Sequence, residues 1–247
     1  MNYTILTCVS IVLILGFVVI YSPIEPIKTL KKDDEYTING KSHIFPLEGE
    51  NYPILKSEVT SKMVKLLEKL TNVLDKSDIP YWLTCGTLLG AVRHGGLIPW
   101  DDDLDINVPL EYVDKTKSSL KKSNLGVLDS GGGYKVYHKS TYPFVDLIIV
   151  DKVKEKWTMC YPLNKDGSCS YKTAEQWPQE CFMDDEVFPL KKIQFENLSL
   201  RVPNKYQELI INMYGEKALE EAYYKPFPTL ANHKFNHLLY MTGLISG

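Results

Sequence analysis

The sequence predicts an α/β (α+β) domain with one central mixed sheet flanked by helices, set behind an N-terminal transmembrane helix. Three observations predict it. Residues Tyr3 to Tyr21 form an uncharged apolar run. Ser57 to about Lys76 carries apolar residues at helical spacing. Short strand candidates, the continuous apolar runs Tyr81–Leu83 and Phe144–Val150 and the alternating stretch Leu104–Val108, are interleaved with helical segments, the pattern of a layered α/β domain.

The first run reads YTILTCVSIVLILGFVVIY and is about as long as a bilayer-spanning helix needs to be. We read residues 1–22 as a signal anchor. A cleaved signal peptide and a buried core helix are the alternatives, although no small-x-small cleavage pattern precedes Pro23. Lys28, Lys31 and Lys32 follow the run, so counting positive charge alone would leave the rest of the chain in the cytosol. Residues 23–53 are rich in Pro, Lys, Asp and Gly without periodicity and read as a stalk. Residues 54–247 form the folded domain, about 200 residues, enough for one sizeable core. Within it, Val59, Met63, Leu66, Leu67, Leu70, Val73 and Leu74 make one apolar helix face after Ser57. Pro80 opens a short buried strand, Gly86-Thr87 a turn, and Leu88–Arg93 a short helix. Glu111–Ser123 suits a surface helix and Tyr134–Lys139 a strand. A loop-rich insert runs to Glu180, a hairpin or strand pair covers Ile193–Val202, and a helix follows Pro203-Asn204 to about Tyr214, stopped by Gly215.

The formal net charge of -3 lacks the basic surface that nucleic-acid binding requires, yet leaves room for a local basic pocket for a phosphate. Among the five cysteines, Cys160, Cys169 and Cys181 cluster in one stretch. A disulfide between two of them and a zinc site with a fourth ligand both remain open. Asn197-Leu198-Ser199 fits a glycosylation acceptor pattern.

The chemistry concentrates in YWLTCGTLLGAVRHGGLIPWDDDLDINV, residues 81–108. Carboxylates at Asp101, Asp102, Asp103 and Asp105 repel one another, and placing them at the start of a buried strand is costly unless a cation neutralises them. Alternation puts Asp103 and Asp105 on one strand face, able to share a divalent ion. Hard oxygen ligands favour Mg2+ or Mn2+, which also bind substrate phosphates. Asp146, a lone acid in an apolar strand, is the candidate third carboxylate, against the plainer reading of a salt bridge or strand-edge position. Gly86 allows close backbone approach, and the helix N-terminus behind it offers free N–H groups to a phosphate. Thr87 adds a hydroxyl donor. Arg93 suits bidentate phosphate contact, against the plainer reading of a surface residue at a helix end.

The string GTLLGAVRHGGLIPWDDDLDI resembles the signature of the LicD/fukutin-related family, and VFPLKKIQFENLSLRVPNKYQELIINMYGE resembles that family's second block. The resemblance implies a nucleotidyltransferase-like fold and transfer of a phospho-alcohol, such as phosphocholine or ribitol phosphate, from a CDP-linked donor to a glycan acceptor. By the same resemblance Asp101, Asp103 and Asp105 are the metal-binding acids, with Asp146 beside them, and Gly86 and Thr87 are the phosphate turn. It further implies a Golgi membrane protein of type II orientation with a lumenal domain, opposite to the charge count, and in some members a cysteine-rich zinc loop. Two rival readings share the fold: a membrane-anchored binding module that holds a glycan or a partner enzyme, and an enzyme that transfers a nucleoside monophosphate.

Overall fold

The computed structural model describes residues 29–30, 35–38, 41–44, 52–53, 57–99, 101–130, 133–153, 155–160, 164, 166–170 and 180–219. The apolar run 3–21, Trp177 and the segment after residue 219 lie outside the described residues. Among the described residues, no helix is long and apolar enough to cross a membrane.

Within the stretch read as a stalk lie four short strands. β1 (Thr29–Leu30) pairs with β4 (Tyr52–Pro53), and β2 (Glu35–Ile38) pairs with β3 (Lys41–Ile44), all antiparallel. The second pair brackets the Asn-Gly dipeptide 39–40, a strong sequence signal for a two-residue hairpin. Poor periodicity hid these strands because each is too short to show alternation.

Helix α1 (Ser57–Lys76) buries Met63, Leu66, Leu67, Leu70 and Leu74, the face its spacing predicted. Its end is closed by two backbone bonds, Ile79 N–H to the Leu74 carbonyl at 2.9 Å and Asp78 N–H to the Asp75 carbonyl at 3.1 Å. Asp78 takes φ +48°, the left-handed position of a Schellman cap, and Ile79 covers Leu74, both fully buried. The cap reverses the chain into β5 (Trp82–Leu83).

Helix α2 (Cys85–Arg93) follows directly, and β6 (Asp105–Pro109) comes after the acid-bearing loop. A 3-10 turn (Leu110–Tyr112) leads into α3 (Val113–Lys122). It ends in the same way as α1, with Asn124 at φ +59° and the Leu125 N–H on the Leu120 carbonyl. Then come β7 (Gly126–Asp129), β8 (Gly133–His138), the long β9 (Ser140–Val153), β10 (Lys156–Met159) and β11 (Phe182–Met183). The described residues end with α4 (Asp184–Val187), the hairpin β12 (Lys191–Phe195) and β13 (Leu198–Val202), α5 (Tyr206–Tyr214) and a 3-10 turn (Glu216–Leu219).

Strands β5 to β11 form one 7-stranded mixed sheet. β9 is its axis. The parallel partner β6 occupies one edge, with Asp105 opposite Asp146 and Pro109 opposite Val150. The other edge is shared: β8 pairs with the first part of β9 and β10 with Val150–Val153. Because residues alternate across a strand, the sheet has two distinct faces. Leu83, Ile106, Val108, Val136, Val145, Leu147 and Ile149 face the core that α1 completes. Trp82, Ile148 and Val150 lie on the opposite face, in a second apolar cluster with Phe182, Val187 and Leu209. Asp105 and Asp146 share that second face by parity.

The loop-rich insert contains strand β10 and a disulfide between Cys160 and Cys169. Cys181 is a free thiol that donates to the Thr158 hydroxyl at 3.5 Å. Two of the three clustered sulfurs are therefore bonded to each other and are not thiolate ligands in this structure.

Candidate metal and phosphate site

The site forms where β5, α2, β6 and β9 meet. The backbone fixes it first. The Asp146 N–H donates to the Leu104 carbonyl at 2.7 Å, and the Thr84 N–H donates to the Asp105 carbonyl at 3.3 Å. These bonds extend the β6–β9 and β5–β6 ladders to the point where the acids emerge. Asp103, Asp105 and Asp146 then offer carboxylate oxygens that all lie within 4.8 Å of one another, and so do Asp101, Asp102 and Asp103.

Gly86 and Thr87 lie in the first turn of α2 rather than before it, since the helix begins at Cys85. Cys85 itself takes φ +48° and makes the sharp turn out of β5. A Cβ on Gly86 would collide with an Asp101 carboxylate oxygen. The close approach that glycine permits is thus used by a carboxylate of the same chain. Thr87 is 4% exposed, and its hydroxyl oxygen accepts the Asp105 N–H at 2.7 Å. This bond ties the first turn of α2 to the first residue of β6. A hydroxyl carries one proton of its own as well as its lone pairs, so Thr87 keeps a donor while it holds Asp105.

Arg93, expected to reach a phosphate, is 3% exposed. Its Nη1 donates to the Ala218 carbonyl at 3.2 Å and its Nε to His94 Nδ1 at 3.3 Å. It fastens the end of α2 to the Glu216–Leu219 turn, and its positive charge favours ionised Asp101. The turn between β12 and β13 holds the loop after α2: the Glu196 N–H donates to the Gly95 carbonyl at 2.7 Å, and Glu196 Oε1 accepts the Leu97 N–H at 3.2 Å. Asn197, in the same turn, is exposed.

Burial, followed by the charges of neighbouring acids, pushes protons onto the cluster. Asp103 is pushed up to about 6 by burial, then by Asp146 and Asp102. Asp105 is held well above the usual carboxylate range by burial, then by Asp103, Asp146 and Asp101, with Lys135 acting the other way. Asp101 is raised by burial and then by Asp103, with Arg93 opposing. Like charges this close cannot all ionise without a counter-charge. An all-oxygen set of carboxylates, half-buried at Asp101, Asp103, Asp105 and Asp146 and exposed at Asp102, fits a hard divalent ion such as Mg2+ or Mn2+.

Four residues near these acids escape a reading of the sequence alone. Lys135 Nζ donates to both oxygens of Asp146 at 2.8 Å. The phenol of Tyr214 and the thiol of Cys85 are both pushed up, first by burial, and both feel Asp105 and Glu180. The Glu180 carboxyl is itself raised by burial. Alternation within β8 could have separated Lys135 from buried Tyr134 and Val136. Its register against Asp146 is a tertiary fact with no local signal.

Several known proteins are similar to this chain. An uncharacterised protein of Rickettsia typhi is 29% identical over 203 residues, 79% of this chain and 56% of the relative. The human ribitol 5-phosphate transferase FKRP is 28% identical over 176 residues, 65% of this chain and 32% of the relative. The lipopolysaccharide cholinephosphotransferase LicD of Haemophilus influenzae is 44% identical over 43 residues, 17% of this chain and 16% of the relative. The chain thus spans about half of the Rickettsia protein and about a third of FKRP. Among solved structures, the lincosamide adenylyltransferase LnuA matches at 12% identity and a TM-score of 0.41, over 63% of this chain and 93% of LnuA. The family model described as LicD/FKTN/FKRP, nucleotidyltransferase domain, matches residues 78–205, which run from the α1 cap through the acid cluster to the start of α5. The chain belongs to the LicD/FKTN/FKRP nucleotidyltransferase-domain family.

Proposed function

We propose that the protein is a metal-dependent transferase that moves a phospho-alcohol from a CDP-linked donor to a glycan acceptor. The carrying observation is the meeting, within 4.8 Å, of Asp103 in the loop before β6 with Asp105 on β6 and Asp146 on the parallel strand β9, in a chain of this family. The names of FKRP and LicD, a ribitol 5-phosphate transferase and a cholinephosphotransferase, support phospho-alcohol transfer over nucleotidyl transfer.

In this reading Asp103 and Asp105 hold Mg2+ or Mn2+, with Asp101 and Asp146 completing or orienting the set. Such an ion, when bound, neutralises the donor's phosphate oxygens and polarises the phosphorus. The protein's own groups supply positioning. Thr87 fixes the Asp105 backbone and presents its hydroxyl proton, and α2 directs its N-terminal end toward the same space. Gly86 lets Asp101 stand against the helix, and Arg93 holds that helix in place. An acceptor hydroxyl attacks the phosphorus that bears the alcohol and gives up its proton to solvent, the bond from that phosphorus to the bridging oxygen breaks, and CMP leaves with that oxygen. Rate enhancement then comes mainly from orientation and charge placement. The uncharged run 3–21 is the proposed membrane anchor, with the domain in the Golgi lumen.

The test supplies purified full chain with Mn2+, mixed glycan acceptors and CDP-ribitol, CDP-glycerol or CDP-choline in turn, and follows CMP. One donor should give metal-dependent CMP release that Asp103→Asn abolishes. Pyrophosphate release from CTP, with a nucleotidylated product and no CMP from any CDP-alcohol, would replace this reading with nucleotidyl transfer.

A further inference from the structure

The acid cluster presents two triads that share Asp103, one with Asp101 and Asp102, the other with Asp105 and Asp146. Two triads invite two ions side by side, the arrangement of two-metal phosphoryl-transfer sites, where the ions stand about 3.5–4 Å apart. At Asp146 the second triad already meets a cation of the protein's own, which takes that carboxylate and leaves Asp103 and Asp105 to hold one ion. Lys135 Nζ lies 2.8 Å from each oxygen of Asp146. A cation bridging both oxygens of one carboxylate takes the position that a divalent ion would need for bidentate binding.

The fold builds this placement. Lys135 on β8 is directly opposite Asp146 on β9, and Asp146 is directly opposite Asp105 on β6. One row of the sheet therefore reads ammonium, carboxylate, carboxylate. The ammonium also lies 3.7 Å from the centre of the Phe144 ring, two residues before Asp146 on the same strand face, so an aromatic face backs the charge. The side chains of Lys135 and Asp146 are 21% and 18% exposed, which shields the pair from the screening that makes surface ion pairs weak. Lysine is a compact point charge, suited to stand in for an ion.

We infer that Lys135 is a built-in cation that replaces a second divalent ion, so that the cluster binds one ion, through Asp103 and Asp105, and not two. The inference rests on the metal-dependent reading above. It gives Asp146 the role of a positioning acid, oriented by Lys135 toward the bound ion.

The test counts Mn2+ bound to the full chain, and records its electron paramagnetic resonance, for wild type, Lys135→Met and Lys135→Arg. Wild type and Lys135→Arg should each bind one ion with an uncoupled six-line spectrum. Lys135→Met should bind two, with the exchange coupling of a close pair. A count of two in wild type, or of one in folded Lys135→Met, overturns the inference. If Lys135→Met does not fold, the wild-type spectrum decides: one uncoupled ion bears the inference out, and a coupled pair overturns it. No Mn2+ bound to wild type would instead sink the metal-dependent reading itself, a distinct result.

Discussion

Replacing Thr87 by Val keeps the side chain's shape and removes one oxygen. That oxygen accepts the Asp105 N–H at 2.7 Å, in a residue only 4% exposed. The change leaves a backbone donor without its acceptor, at a cost of about 1–3 kcal/mol. For a domain of this size each kcal/mol moves the melting temperature by about 2–4 °C. Thr87→Val should therefore melt about 2–12 °C lower, in the range those two factors span. Thr87→Ser keeps the oxygen and loses one buried methyl, worth about 0.8 kcal/mol. The two variants separate on metal binding. The valine variant frees the Asp105 backbone from α2 and should weaken Mn2+ by about 10–100-fold, as lost support for a ligand does. The serine variant should bind Mn2+ nearly as wild type does. The assay is a thermal melt with and without Mn2+, paired with a Mn2+ titration. If Thr87→Val melts with wild type and binds Mn2+ equally well, the tie between α2 and β6 does not hold the site.

Gly86→Ala places a methyl group where an Asp101 oxygen stands. It should cost about 1–3 kcal/mol by overpacking and weaken Mn2+, and unchanged melting and binding would contradict that contact. Leu70→Ala, at a fully buried position on α1, should lose about 2–5 kcal/mol in urea unfolding while the number of bound Mn2+ stays the same. The acid cluster also sets a pH dependence. Asp103, pushed up to about 6, together with Asp101 and Asp105, raised in the same direction, keeps protons in the folded state that the unfolded chain releases near pH 4. Their contribution to metal-free stability is thus fully present at low pH and is lost as pH rises through about 6. In EDTA this part of the urea midpoint should fall between pH 5 and 7.5, and the fall should shrink in Asp103→Asn/Asp105→Asn. Mn2+ should reverse it at pH 7.5 and bind more weakly below pH 6, where protons compete for the ligands.

Much of the fold was legible because the signals were local. The apolar face of α1, the runs that became β5, β6 and β9, the hairpin at Ile193–Val202 and the stop at Gly215 all lie in short stretches of periodicity or turn chemistry. The α1 terminus was harder to place, since its left-handed position carries Asp78 where glycine is the usual residue. The acid cluster stood out because charge repulsion beside a strand demands an explanation. What Gly86, Thr87 and Arg93 touch was not legible. Gly86 meets Asp101, Thr87 holds the Asp105 backbone and Arg93 binds the Ala218 carbonyl, 125 residues away. The pairing of Lys135 with Asp146 depends on strand register across β8 and β9, which no window of sequence contains. Between two readings of the cysteine cluster the sequence could not choose, because sulfur pairing is a matter of distance in the fold.

The most direct test of the central claim is calorimetric titration of the full chain with CDP, with and without Mn2+, for wild type and for Asp103→Asn/Asp105→Asn. Wild type should bind CDP only when Mn2+ is present, and the folded double variant should bind none under either condition. CDP binding that ignores Mn2+, or that survives in the double variant, would contradict the claim that these carboxylates hold the donor through a metal ion. Absence of CDP binding by folded wild type would point instead to a binding module built on the same fold.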